Sequence, residues 1–221
     1  MYYYTIILFL FTIVFAKVES PSLFKYKQGS YQAFYFFRSV TIDSMLVDSL
    51  DWVGTFNCSK WDADSTNCLK LGACVGSRQW NTAKCGGGIC DLPAMGTGGE
   101  SSKITQGYLD PGQYPAFIIY DHSKGIYYNT NPRGNVQKQM DICRNGYPYC
   151  YGWENHNFYL IDRLETAGNY MDCSGKIGGS SQNDLCGVCG GAGPKYTCKK
   201  NNQSYCTEYE YEQNCITTDS K

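Results

Sequence analysis

An excess of either charge is missing from this sequence: 19 Lys and Arg stand against 20 Asp and Glu, a formal net charge of -1. No basic surplus exists to neutralise phosphates, which excludes a general nucleic-acid binder. Histidine is scarce, with only His122 and His156, and neither sits in a G-x-S-x-G or H-E-x-x-H pattern. No stretch keeps a 3.6-residue apolar period over three turns, so long amphipathic helices are not expected. Beyond residue 15 no apolar run approaches the roughly 20 residues that span a bilayer. The C-terminal residues offer no hydrophobic tail for a lipid anchor, so no membrane span is expected once a signal is removed.

An apolar run does open the chain. Residues 6–15 are apolar apart from Thr12, and Ala16 precedes the polar Lys17, Glu19 and Ser20. This reads as a secretory signal over residues 1–16, cleaved after Ala16, and the mature chain is expected to be secreted and extracellular. The first five residues contain no Lys or Arg, which keeps an uncleaved anchor as the alternative.

Such a route makes sense of thirteen cysteines, which pair in oxidising compartments. Seven precede residue 171. The other six, Cys173, Cys186, Cys189, Cys198, Cys206 and Cys215, crowd into residues 171–221 among glycines and few aliphatic side chains. That shift divides the chain into a main domain over 17–170 and a module over 171–221 that needs covalent staples in place of a core. Local spacing pairs Cys58 with Cys68, Cys85 with Cys90, and Cys143 with Cys150. Cys74 is left over, as a buried free thiol or as the bridge of a covalent dimer. Connectivity in the tail is open.

The spacing of Cys186, Cys189, Cys198 and Cys206 also admits a zinc knuckle, but the secretory route and the two further cysteines favour disulfides. Calcium is a weaker candidate, at Asp172, Asn183 and Asp184, without the alternating acidic residues of a dedicated loop. No other cofactor is expected.

Periodicity in the main domain is that of strands. Residues 31–42 are rich in aromatic and β-branched side chains and read as a strand buried on both faces. Further strands are expected at 51–56, 73–80, 115–121, 125–128 and 157–162. Turn signals separate them at 86–88, 110–112 and 131–134. The expected fold is all-β: an antiparallel β-sandwich with a small disulfide-rich, loop-dominated C-terminal module.

These residues carry a resemblance. The series "DWVGTFN" from Asp51, "CVGSRQW" from Cys74, "CGGGICDLPAMG" from Cys85 and "PAFIIYD" from Pro115 resembles an extracellular module of modular secreted bacterial and protist proteins. The tail, "DCSGKIGGS" from Asp172 and "DLCGVCGG" from Asp184, is similar to the cysteine-rich repeats of such proteins. A shorter "CGVCGG" also occurs in secreted metalloproteases with thrombospondin motifs. The resemblance covers residues 30 to 198 and implies a non-catalytic part of an adhesive or matrix protein. Residues 58–68 depart from it as an inserted loop, and one tail repeat stands where several would be usual.

For catalysis the residues offer little. Asp121, His122 and Ser123 are consecutive and cannot converge as a triad, which is built from separated segments. Asp62 and Asp64 are a carboxylate pair of the kind glycoside hydrolysis uses, but that chemistry needs a cleft. A small secreted hydrolase or protease-associated fragment is the alternative to a binding protein. Trp61 and Trp153 are the glycan-facing candidates, while Trp52 and Trp80 read as core. Sequons at Asn57 and Asn202 are glycan acceptors in a eukaryotic secretory pathway. Residues 208–212, alternating Glu and Tyr, read as a solvated strand or loop. The expectation is a secreted, non-catalytic interaction or adhesion protein with an extracellular glycan or protein as partner.

Overall fold

The computed structural model describes residues 19–65, 67–138, 141–143, 150–174, 181 and 184–216. The signal segment and Asn183 lie outside the described residues. Eleven strands are described: β1 (Gln32–Ile42), β2 (Met45–Leu46), β3 (Trp52–Trp61), β4 (Cys68–Gln79), β5 (Asp91–Met95), β6 (Ala116–Asp121), β7 (Ile126–Lys138), β8 (Asp141–Cys143), β9 (Phe158–Met171), β10 (Tyr196–Thr197) and β11 (Ser204–Tyr205). The first nine form one sheet in the order β2-β1-β9-β7-β6-β3-β4, with β5 also pairing β1 and β8 pairing β7. The fold is all-β as expected, and one pair makes the sheet mixed: β1 runs parallel to β9.

The sheet folds over on itself into two layers. Val53 of β3 and Val75 of β4 meet Ala33 of β1 and Leu92 of β5 in a single core. Gly76 marks the closest approach, where an added Cβ would stand 1.8 Å from the Pro93 carbonyl oxygen. Strand alternation supplies this core. Over the first half of β1 the buried positions are Ala33, Tyr35 and Phe37, with Gln32, Phe34 and Phe36 on the other face only partly covered. The first half of β1 is therefore buried on one face only, while Val40 and Ile42, of the same alternation as Phe34 and Phe36, are buried at its end. Tyr35 stacks on Tyr159 (4.7 Å between ring centroids) and donates its hydroxyl to the Tyr151 carbonyl at 2.9 Å. Burial raises the Tyr35 phenol well above its usual range. Each such ring contributes on the order of 1.5–3 kcal/mol by leaving water.

β7 and β9 are longer than the sequence suggests because the expected turn at 131–134 is a bulge within β7. Pro132 and Arg133 still pair with Leu164 and Arg163 of β9, and the register shifts before Val136. Gly134 absorbs the shift at φ 84°, and the Asp162 carboxylate pins it by accepting the Asn135 N–H at 2.8 Å. A bulge of this kind bends a strand and increases its local twist.

A second, smaller cluster lies on the outer face of β3, β6 and β7. A 3-10 turn at Ser22–Phe24 lays the buried Phe24 ring edge-on against Phe56 and Tyr127, each at 5.6 Å. Gly54 makes room, since an added Cβ would meet Phe24 at 3.0 Å. Cys173 and Cys189 pack into the same cluster, joining the C-terminal module to the sheet.

Both described spacing-based pairs are formed, Cys58–Cys68 and Cys85–Cys90. Cys150 is disulfide-bonded as well, and the Cys143 side chain lies outside the described residues. The tail is bridged Cys173–Cys189, Cys186–Cys206 and Cys198–Cys215. The four knuckle-spaced cysteines thus belong to three different disulfides, leaving no thiolate set for zinc. Residues 208–212 correct the strand-or-loop expectation: α1 (Glu208–Tyr211) is a single helical turn, held by a capping box in which Thr207 and Glu210 serve each other's backbone N–H.

Candidate functional site

The partly covered face of β1 carries a groove made of two adjoining depressions. Parallel pairing sets Phe34 beside Phe158 of β9, and the rings stack at 5.7 Å with an 11° interplanar angle. Phe36 tilts against the same ring at 6.3 Å. Phe158 is 53% exposed, so its ring is not part of the core. Along the other edge of β1, antiparallel pairing sets Pro93 opposite Phe34 and Asp91 opposite Phe36.

Two depressions share Phe34 and Asp91. The first, of about 340 Å³, is an apolar slot between Phe34, Phe36 and Phe158 on one side and Gly86 and Ile89 of the Cys85–Cys90 loop on the other. The second, of about 300 Å³, is a polar basin lined by Tyr26, Gln28, Gln32 and Arg78, with Pro93 and Met95 at its floor. In the basin Arg78 Nη1 is ion-paired to Asp91 Oδ1. Gln28 Nε2 donates to Gln32 Oε1 at 3.0 Å. Burial raises the Tyr26 phenol above its ordinary value, and the Cys74, Tyr108 and Asp91 side chains add to the rise. An aromatic wall meeting a few fixed polar groups is the usual composition of a small-ligand site.

The groove is not where the sequence points. Trp153 is fully buried, with its Nε1 donating to the Ala94 carbonyl at 2.9 Å, and so cannot face a ligand. Its setting in a Gly- and Tyr-rich stretch concealed a core role. Trp61 ends β3, half-buried against the outer cluster rather than displayed on a loop. Trp80 is core as expected, and Trp52 is partly buried on the outer cluster. The signal that would have found the groove is the outward series Gln32, Phe34, Phe36 and Arg38, two aromatic residues between polar ones on one face of a strand.

The calcium candidates organise turns. Asp172 accepts from the Ser174 N–H at 3.0 Å, the Ser174 hydroxyl at 2.5 Å and the Ser181 N–H at 3.2 Å. Asp184 accepts the Cys186, Val188 and Gly193 N–H groups at 2.8, 2.9 and 2.8 Å. Those bonds, Val188 foremost, hold its carboxyl below the ordinary range. Among the described residues no three His, Cys, Asp or Glu side chains gather as a metal set.

Asp121, His122 and Ser123 form the β6–β7 turn. Burial pushes the Asp121 carboxyl up, but the Ser123 hydroxyl (2.7 Å) and the Lys124 ammonium (3.0 Å) outweigh it and hold it low. Asp51 accepts the His122 N–H at 2.8 Å, and burial raises its carboxyl despite that bond. His156 is exposed in a turn at φ 61°, its N–H bonded to the Gln32 carbonyl. Asp62 accepts from Asn67 at 2.7 Å, while Asp64 stands exposed on the inserted loop.

Of the two sequons, Asn57 has its side-chain amide committed to the Gly107 and Tyr108 carbonyls at 3.0 and 3.3 Å. Asn202 is exposed, at φ 58° in the β10–β11 turn. Cys74 is the free cysteine among the described residues, and at 7% exposure its thiol is not placed to bridge two chains.

No protein-family model, curated protein or solved structure matches this chain.

Proposed function

We propose that the chain is a secreted, non-catalytic interaction protein that binds an extracellular glycan in the groove on β1, β5 and β9. The carrying observation is the Phe158 ring, exposed and stacked on Phe34 beside amide and charged side chains. A sugar presents an apolar face of C–H groups and a rim of hydroxyls, and this groove offers a partner for each. Disulfides throughout both regions support folding in an oxidising compartment, hence secretion. The resemblance to adhesive extracellular modules supports the same reading. Asn202 is the sequon whose side chain is open to glycosylation.

The test is retention on insoluble chitin, cellulose and other polysaccharides, with calcium and with a chelator. Wild type and Trp61→Ala are retained alike in both conditions, while Phe158→Ala and Phe34→Ala pass through with unchanged melting temperatures. Wild type that is never retained, or Phe158→Ala retained like wild type, overturns the glycan reading.

A further inference from the structure

We infer that the groove selects a neutral oligosaccharide with free vicinal hydroxyls, one sugar seated in the apolar slot and its neighbour in the polar basin. The inference rests on the glycan reading above and names which glycans the site accepts. Its basis is the way the groove's charges are committed.

Arg78 and Asp91 are the charged side chains lining the two depressions, and they are paired with one another. Farther along the same face of β1, Arg38 is likewise paired, with Asp162 at 3.6 Å. The groove therefore presents no net charge. A carboxylated or sulfated sugar would have to displace Asp91 from the guanidinium and then lie against that carboxylate. A cationic sugar would meet the reverse penalty at Arg78.

The ion pair still has capacity. A guanidinium carries five N–H donors and a carboxylate two acceptor oxygens. Arg78 Nη1 bonds Asp91 Oδ1 and approaches the Asp91 carbonyl at 3.4 Å, so Nη2–H groups and Asp91 Oδ2 remain open among the described residues. Donor and acceptor thus stand side by side, which matches two adjacent hydroxyls, one accepting from Arg78 and the other donating to Asp91. The glutamines repeat the pattern. Their mutual bond leaves Gln28 Oε1 and Gln32 Nε2 without a partner among the described residues. Because slot and basin share Phe34 and Asp91, a ligand that fills both is continuous over at least two rings.

The experiment is a glycan array and titration calorimetry on the purified protein. The probes are tetrasaccharides derived from cellulose, 1,4-linked galactan and mannan, set against a chitin tetrasaccharide, whose internal rings lack a vicinal diol and which is expected not to bind, and against oligogalacturonate, heparin-derived and sialylated oligosaccharides. Wild type is expected to bind members of the neutral set and none of the acidic set. Asp91→Asn frees the Arg78 guanidinium, so it should lose at least tenfold on the neutral ligand and gain measurable binding to oligogalacturonate. Arg78→Gln should lose the neutral ligand without that gain. Periodate cleavage of the vicinal diols in the bound neutral sugar should abolish its binding. Thermal melts check that both variants remain folded, as expected for a pair about one-third exposed. Preference of wild type for acidic sugars, or an Asp91→Asn variant that keeps both affinity and preference, overturns the inference while Phe158-dependent retention still upholds the site. Absence of binding to every glycan overturns both.

Discussion

The Trp153 indole donates its N–H to the Ala94 carbonyl at 2.9 Å and fills the space a side chain at Gly96 would need, where an added Cβ would stand 2.1 Å from the ring. The segment before β9 is thereby locked onto the end of β5, and β5 forms one border of the groove.

Trp153→Ala is expected to destabilise by about 3–5 kcal/mol, the range for removing a buried aromatic ring. Gly96→Ala should cost about 1–3 kcal/mol by overpacking. Because both act on one site, the double variant should fall short of their sum. Chemical denaturation of the four proteins checks this, and a Trp153→Ala variant as stable as wild type would remove the indole from the core.

Within the Cys85–Cys90 loop, neighbouring glycines should respond oppositely. An alanine Cβ at Gly86 meets nothing within 4 Å and its φ is not left-handed, whereas Gly87 sits at φ 63°. Gly87→Ala is expected to cost about 1–2 kcal/mol and Gly86→Ala essentially nothing. Leucine at position 86, on the wall of the slot, should lower glycan retention with the melting temperature held. Parallel melts and pull-downs separate these effects.

Burial pushes the Cys74 thiol from 9.0 up to about 12. The native thiol should therefore resist alkylation at pH 8 and react on unfolding, and the protein should migrate as a monomer without reductant. The folded form binds the thiol proton more tightly than the unfolded form. Cys74 consequently favours folding fully below pH 9 and loses that contribution as pH rises from 9 toward 12. Denaturation across that range should show a gentler decline for Cys74→Ala than for wild type.

Asp184 has the opposite linkage. Its carboxyl is held below 3.8 by backbone N–H groups, Val188 first. Its contribution to the tail is present above that value and lost as pH falls through the folded one. Amide exchange at Val188 and Gly193, corrected for intrinsic rates, should accelerate as the pH falls below 4. Asp184→Ala should show the fast rates already at pH 6. Slow exchange in the variant would mean that the carboxylate does not hold this loop.

Short-range chemistry was legible in the sequence. Close spacing gave Cys58–Cys68 and Cys85–Cys90, and β-branched and aromatic runs marked β1 and β6 within one residue of both bounds, and one end each of β3, β4, β7 and β9. What escaped depends on partners far along the chain. Asn131, Pro132 and Gly134 read as a turn because nothing local reveals that β9 pairs across them. Tail connectivity was hidden because interleaved cysteines at similar spacings carry no local preference. Phe34 and Phe36 read as core because their exposure is set by which face of β1 the second layer covers. Phe158 joins them only through parallel pairing between strands more than a hundred residues apart.

The three tail bridges overlap in sequence, 173 to 189, 186 to 206 and 198 to 215, so every peptide bond between residues 173 and 215 is spanned by at least one of them. A protease that nicks this segment once frees nothing. The severed ends stay tethered until a reductant acts, so in a milieu rich in proteases and poor in thiols the module persists as one covalent object after a first cut.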